Sequence, residues 1–310
     1  PGSYHMDGYM AEVCFVDGLQ LPPTDFGEFD EDSPTIWKPI DVSGLTFGNN
    51  GFYLDFEDSA NLGNDANGGT DLTESGLAAT DQATDTPTNN FATLNPLVPS
   101  GGGFTPQSSS VLSQGNCFFE TDNSSNNWGL ALSTIGVTNG KWYFECKATD
   151  AGDAQIGALG TGSTTTGTYF GSAANSYGYY AADGKSTTGA TGSSYGDSYT
   201  DDDIIGVYLD LDNNKIYWAK NGTVQNSGTG VDITAVGSVN LGAYFVGVGT
   251  WASSGNGDFQ CNFGGCPSFA ISSGNADANG YGNFEYDPSA GTFDSGSKDF
   301  YAICTKNLAE

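Results

Sequence analysis

The 310-residue sequence contains no arginine, and its eight basic residues are all lysine. Without guanidinium forks, and with 37 acidic residues giving a net charge of -29, the chain lacks what neutralises phosphate. That argues against nucleic acid and against anionic membrane surfaces as partners. Histidine is nearly absent too. The single one, His5, lies in Pro1–Met6, which reads either as a strand beginning or as a cloning remnant. One histidine so placed does not supply a Ser-His-Asp triad, a Cys-His pair or a multi-histidine metal centre. The opening residues do not read as a signal peptide, and no run of about 18 apolar residues is present to cross a bilayer as a helix.

Six cysteines are too sparse for a disulfide scaffold, and none forms a CxxC pair. Cys261 and Cys266 are close enough for a small loop to bridge, with Gly264, Gly265 and Pro267 around them, but histidine support for zinc is missing. Free, mostly buried thiols are expected, which suits assembly in a reducing cytoplasm and release by lysis.

What fills the chain is glycine, 46 residues of it, with Asn, Ser, Thr and Asp crowding between short runs of Tyr, Phe, Val and Ile. That is the texture of many short strands joined by tight turns, and helical periodicity is scarcely visible. The expected class is all-β, one full domain with extensions, its core filled largely by aromatics. The acidity suits solubility, divalent-cation binding or repulsion of wrong partners, beside the plainer reading of a solvated acidic surface.

Residues 7–18 form a strand of alternating character closing on Asp17-Gly18. Further on, Phe52, Leu54 and Phe56 alternate with Tyr53 and Asp55, marking a strand with one buried face. Lys141–Cys146 is an aromatic strand. Asp203–Leu211 puts Ile205, Val207, Leu209 and Leu211 on one face, turns at Asp212-Asn213-Asn214, and returns through Lys215–Lys220 to a second turn at Asn221-Gly222. This is a hairpin whose apolar face fixes its register.

Residues 7–27 resemble the last strand and exit of concanavalin-like, laminin-G-type jelly rolls. The ordered blocks GKWYFE, SYGYYAADGK and SSYGDSYTDDDIIGVYLDLDNNKIYWAKNG, followed by AYFVGVGT and FQCNFG, resemble a SPRY domain between Phe91 and Gly264. One departure is that Asp202 stands where the family's hairpin usually has glycine. The flanks, Gly51–Phe56, Thr84–Leu97, Gly274–Phe284 and Ala302–Leu308, resemble the linker and ending of tail or fibre proteins of marine and other tailed phages. The resemblances imply an antiparallel β-sandwich, SPRY and jelly-roll-like. They divide the chain into a laminin-G-like terminal strand (1–27), an extended linker (28–95), the sandwich (96–264) and a C-terminal docking tail (265–310).

Two constellations bear chemistry. Asp201, Asp202 and Asp203, with Asp210 and Asp212, could give oxygen ligands to calcium, the one cofactor left open, although the spacing is not an EF-hand's and a solvated acidic turn explains them equally. Among Tyr169, Phe170, Tyr177, Tyr179, Tyr180, Tyr195, Tyr199 and Trp251, a sugar-stacking platform is conceivable. Alternation turns Tyr177 and Tyr179 inward, leaving Tyr195, Tyr199 and Trp251 as ligand-binding candidates.

Three functions follow. The first is a non-enzymatic virion structural protein, a fibre, decoration or filament subunit on the virion surface, whose arms contact copies of itself and other virion proteins. The second is an adhesion module for a host receptor or surface glycan, using the loops at one end of the sandwich. The third, ranked last, is a polysaccharide-degrading tail enzyme, for which no carboxylate pair is locatable.

Overall fold

The computed structural model describes residues 10–29, 31, 37–77, 81–86, 89–96, 110–121, 127–160, 169–252, 257–265 and 268–309. His5, Cys266 and the Pro87-Thr88 turn lie outside them. The chain divides into two compact units, Pro1–Asn90 and Phe91–Glu310.

The first unit contains two short antiparallel ribbons. Strand β1 (Val13–Phe15) pairs with β4 (Phe52–Leu54), and β2 (Gly27–Phe29) with β3 (Trp37–Pro39). The expected terminal strand thus pairs with a strand from the expected linker. Leu54 is buried, but Phe56 turns left-handed (φ 59°) and leaves the strand half-buried. Loops hold together through carboxylates accepting backbone N–H groups. Asp65 accepts from Tyr53 (2.9 Å) and Asn67 (3.1 Å), which is how a glycine-rich, strand-poor segment satisfies its backbone.

The second unit is an antiparallel sandwich. Its strands are β5 (Ser110–Ser113), β6 (Phe118–Thr121), β7 (Asn127–Leu132), β8 (Lys141–Asp150), β9 (Ala154–Leu159), β10 (Ser176–Tyr180), β11 (Lys185–Thr188) and β12 (Thr191–Ser194). They continue with β13 (Ile204–Asp210), β14 (Lys215–Lys220), β15 (Thr223–Val224), β16 (Val231–Asp232), β17 (Phe245–Ala252), β18 (Asp258–Asn262) and β19 (Tyr301–Ala302). One sheet runs β12-β11-β10-β9-β17-β7. The other runs β15-β14-β13-β8-β18-β6-β5, with β16 beside β14 and β19 beside β8.

Strand alternation builds the core. Trp142, Phe144 and Cys146 of β8, Ile205, Val207 and Leu209 of β13, and Ile216 and Trp218 of β14 face Ile156 and Ala158, Tyr177 and Tyr179, and Val246 and Val248 of the other sheet. The expected hairpin is present in its expected register, with Val207 opposite Trp218 and Leu209 opposite Ile216. The turn at Asn221 (φ 47°) and Gly222 (φ 77°) has both central residues left-handed, the geometry that makes Asn-Gly the favoured two-residue hairpin loop. Asp202 is also left-handed (φ 68°), which explains why glycine would suit this position.

The opposite faces of β8, β13 and β14 carry Tyr143, Tyr208 and Tyr217. Phe284, Phe293 and Phe300 of the C-terminal segment cover them in a second apolar cluster. Three buried carboxylates fasten this cover. Glu145 accepts from the backbone N–H of Glu285 (2.7 Å) and Tyr286 (3.2 Å). Asp210 accepts from the Ser297 (2.5 Å) and Ser295 (3.1 Å) hydroxyls, and Asp277 from Ala302 N–H (2.9 Å) and Asn307 Nδ2 (2.7 Å). The tail expected to reach other copies therefore spends its aromatic side chains on its own sandwich, because the outward tyrosines of β8, β13 and β14 need an apolar lid. β19 completes the closure by pairing in parallel with β8, and a bridge joins Phe91 to Cys304.

Candidate functional site

Three connections converge at one end of the sandwich around an open cleft of about 530 Å³. The β8–β9 turn contributes Ala151 and Gly152, and the β10–β11 turn Ala181 and Ala182. The segment before β13 adds Ser198, Tyr199, Thr200 and Asp201. Small side chains dominate the walls, so backbone groups lie near the surface. Tyr199 and Asp201, two of the residues singled out from sequence, meet here.

Tyr199 does not offer its ring as a platform. It is 2% exposed, its hydroxyl lies 3.2 Å from the carbonyl oxygens of Ala154 and Tyr179, and its ring packs 5.5 Å from that of Tyr179. Tyr195 is 7% exposed, edge-on to Trp218 at 5.2 Å, and its hydroxyl accepts the Trp218 backbone N–H at 3.3 Å. Both belong to the core instead of a ligand-facing surface. A large ring beside a sandwich edge gains more by burial, provided the hydroxyl finds a partner, and here each does. Burial raises the pKa of both phenols, to well above the ordinary range for Tyr199, so both stay protonated and neither is a ready base.

Trp251 is the candidate that stays partly exposed. Its ring meets Trp128 edge-on at 5.9 Å, and Trp128 lies 4.9 Å from Tyr169. The group sits where β17 pairs with β7, and Trp251 N–H donates to the Asp153 carbonyl (3.1 Å) in the β8–β9 turn. Trp128 was not singled out from sequence, although its alternation with Leu130 and Leu132 across Gly129 and Ala131 carries the period-two signal of a strand.

The five acids considered as calcium ligands point to separate partners. Asp201 accepts Ala151 N–H (2.7 Å), Asp202 pairs with Lys147 (2.8 Å), and Asp212 accepts Gly140 N–H (2.9 Å). Asp203 binds Thr200 N–H (2.8 Å), Asn221 Nδ2 (2.6 Å) and Lys220 Nζ (3.0 Å), while Asp210 is committed to the tail serines. Partial burial would raise the Asp203 carboxyl, but bonds from Thr200, Lys220 and Asn221 outweigh it and hold the group below its ordinary value. Among the described residues, no three His, Cys, Asp or Glu side chains gather around a common point. These carboxylates shape turns, and the calcium reading gains no ligand set from them.

Glu145 is the buried acid that the sequence did not single out. Its oxygens take Tyr143 Oη (2.9 Å) and Asn262 Nδ2 (2.9 Å) in addition to the two tail N–H groups. Burial outweighs these donors and raises its pKa to about 7.

Residues 141–265 match the family model described as the SPRY domain. The second unit carries a SPRY domain. Within curated proteins, the chain is 33% identical over 97 residues to the ATP-dependent RNA helicase DDX1 of Xenopus laevis, covering 31% of this chain and 12% of that protein. It is 30% identical over 142 residues to the ATP-dependent RNA helicase Ddx1 of Drosophila melanogaster, covering 41% and 18% respectively. The likeness thus spans less than a fifth of either helicase. Among solved structures, a human SPRY domain aligns with a TM-score of 0.39 at 20% identity, covering 48% of this chain and 93% of that one. Stonustoxin aligns with a TM-score of 0.40 at 16% identity, covering 55% and 27%. The SPRY fold supports a protein-interaction module in this unit.

Proposed function

We propose that the chain is a non-enzymatic structural protein of a virus particle, a fibre, decoration or filament subunit on the particle surface. In this reading the SPRY sandwich is a rigid interaction module, and residues 10–90 make assembly contacts with copies of the chain or with other particle proteins. The supporting observation is where apolar surface remains. Among the described residues of the first unit the buried large hydrophobics are Val42, Phe47, Leu54 and Leu62, while Met10, Phe15, Leu19, Phe29, Trp37, Leu72 and Leu77 are exposed. The far larger second unit exposes only Val111, Leu241 and Leu308 among its described residues. Phe15 stacks on Phe52 at 5.6 Å and Phe29 meets Trp37 edge-on at 5.0 Å, so these rings are held in place before any partner arrives.

The test is sedimentation of the full chain beside a Phe29→Ser, Trp37→Ser double variant, alone and with the other proteins of the particle. Association that the double variant loses supports the reading. Equal behaviour of both proteins removes its main support.

The cleft favours a second reading, in which the loop end holds a segment of a receptor protein. Ala182 is exposed on its wall. Ala182→Trp should fill the cleft without touching the core, and receptor binding that survives it would count against that site. A host glycan would find its best surface at Trp251, Trp128 and Tyr169, and Trp251→Ala tested on a glycan array separates this outcome from the other.

A further inference from the structure

Strands β8 and β18 are antiparallel neighbours, and Cys146 stands directly opposite Cys261. The Cys261 N–H turns away from β8 to donate to the Cys117 carbonyl (2.6 Å), and the Cys261 carbonyl accepts from Ser268 on that same far side (3.4 Å). Cys146 and Cys261 are therefore a non-hydrogen-bonded pair, the position in an antiparallel ladder where opposed Cα atoms lie about 4.5 Å apart and side chains come closest. That spacing falls inside the window a disulfide requires. The two sulfurs are 3.2 Å apart, both residues are fully buried, and both are free thiols.

We infer that Cys146 and Cys261 are the site of a cross-strand disulfide that closes when the chain meets a hydroperoxide while folding. The inference depends only on the sandwich and stands apart from the assembly reading. One thiolate attacks a peroxide oxygen, the O–O bond breaks, and the departing hydroxide takes a proton to become water, leaving a sulfenic acid. The second sulfur attacks the sulfenic sulfur, the S–S bond forms, the S–O bond breaks, and a second water leaves with the remaining thiol proton. Two thiols are oxidised by two electrons, and one peroxide is reduced to two waters.

Timing follows from burial. In the closed sandwich, burial and the neighbouring thiol push the Cys146 pKa well above its ordinary value, which starves the reaction of thiolate. Before β18 docks, both thiols are open to solvent and a small peroxide has access. Once made, the bond ties residues 115 apart in sequence. A loop of that length raises the thermal midpoint by roughly 5–15 °C after allowance for strain.

The experiment uses the full chain bearing Cys14→Ser, which removes the half-buried thiol of the first unit. The protein is unfolded and reduced, then refolded either with stoichiometric hydrogen peroxide or with dithiothreitol. The expected result is loss of two titratable thiols, a peptide pair linking Cys146 to Cys261 in the mass map, and a raised midpoint that is lost when the protein is unfolded, reduced with dithiothreitol and refolded without peroxide. Full retention of titratable thiols overturns the inference, as does a bond that instead recruits Cys117. A Cys117→Ser variant must still form the bond and a Cys261→Ala variant must not. If Cys261→Ala fails to fold, the peptide map of the Cys117→Ser protein decides alone.

Discussion

Glu145 provides a prediction whose sign and size both follow from the structure. Its carboxyl is fully buried under the C-terminal cover and titrates near 7, against an ordinary value of 4.5. Folding therefore favours the protonated acid. The stability this group contributes is fully present below its unfolded value and is lost as the pH rises through the folded one. In Glu145→Gln that loss disappears, while every other titrating group is shared with the parent and cancels in the comparison. Between pH 5 and pH 8 the variant should gain about 2–3 kcal/mol on the parent, because each tenfold change in proton affinity between the unfolded and folded chains is worth about 1.36 kcal/mol, weighted by the fraction ionised. Its starting level at pH 5 should be slightly lower. The amide nitrogen can face the Tyr143 hydroxyl, which rotates to accept, but it leaves the Tyr286 N–H opposed, and one such orphaned donor costs about 1–3 kcal/mol. Urea unfolding of both proteins at several pH values measures the difference, and amide exchange at Glu285 and Tyr286 reports whether the cover stays seated. If the difference between the two proteins instead stays constant from pH 5 to pH 8, the four donors keep Glu145 ionised throughout, and the reasoning from burial is refuted.

Other outcomes follow from single positions. Asp202→Gly should stabilise the second unit by about 0.5–1 kcal/mol in denaturant unfolding, since the left-handed backbone suits glycine and the exposed Lys147 pair it gives up is worth little. Phe300→Ala empties a fully buried site against Tyr208 and Phe293 and should cost about 3–5 kcal/mol; a loss under about 1 kcal/mol would mean the tail contributes nothing to the fold. Lys220→Met removes the ion pair to Asp203, so the Asp203 carboxyl should titrate closer to its ordinary value in a side-chain NMR titration, with the sandwich intact.

The hairpin of β13 and β14 was legible because every second residue from Ile205 to Leu211 is a large aliphatic. The cover over its other face was not. Phe284 and Phe293 stand among Gly, Asn, Thr and acidic residues without a sustained period, and Phe300 only opens the short apolar run that ends at Cys304. The usable signal lay on the sandwich side: Tyr143, Tyr208 and Tyr217 occupy positions that a two-layer protein would give to polar residues. Three aromatic outward positions on adjacent strands require something to lie on them. The same logic identifies Glu145, since a carboxylate between those tyrosines is tolerable only where donors are brought to it.

The cleft was less legible still, because its walls come from three turns that no local pattern connects. Sequence pointed to its aromatic residues, and folding moved those into the floor or the core. What lines the opening is Gly152, Ala182, Ser198, Thr200 and Asp201, with Ala151, Ala181 and Tyr199 buried beneath them. Small walls let a visiting backbone approach the exposed peptide groups, whereas a sugar ring needs a broad aromatic face to lie against. The nearest such face is the separate group of Trp251, Trp128 and Tyr169 at the β7 edge. Peptide recognition and glycan recognition would therefore use different surfaces of this sandwich, so Ala182→Trp should abolish binding of a peptide ligand and spare a glycan, and Trp251→Ala should do the reverse.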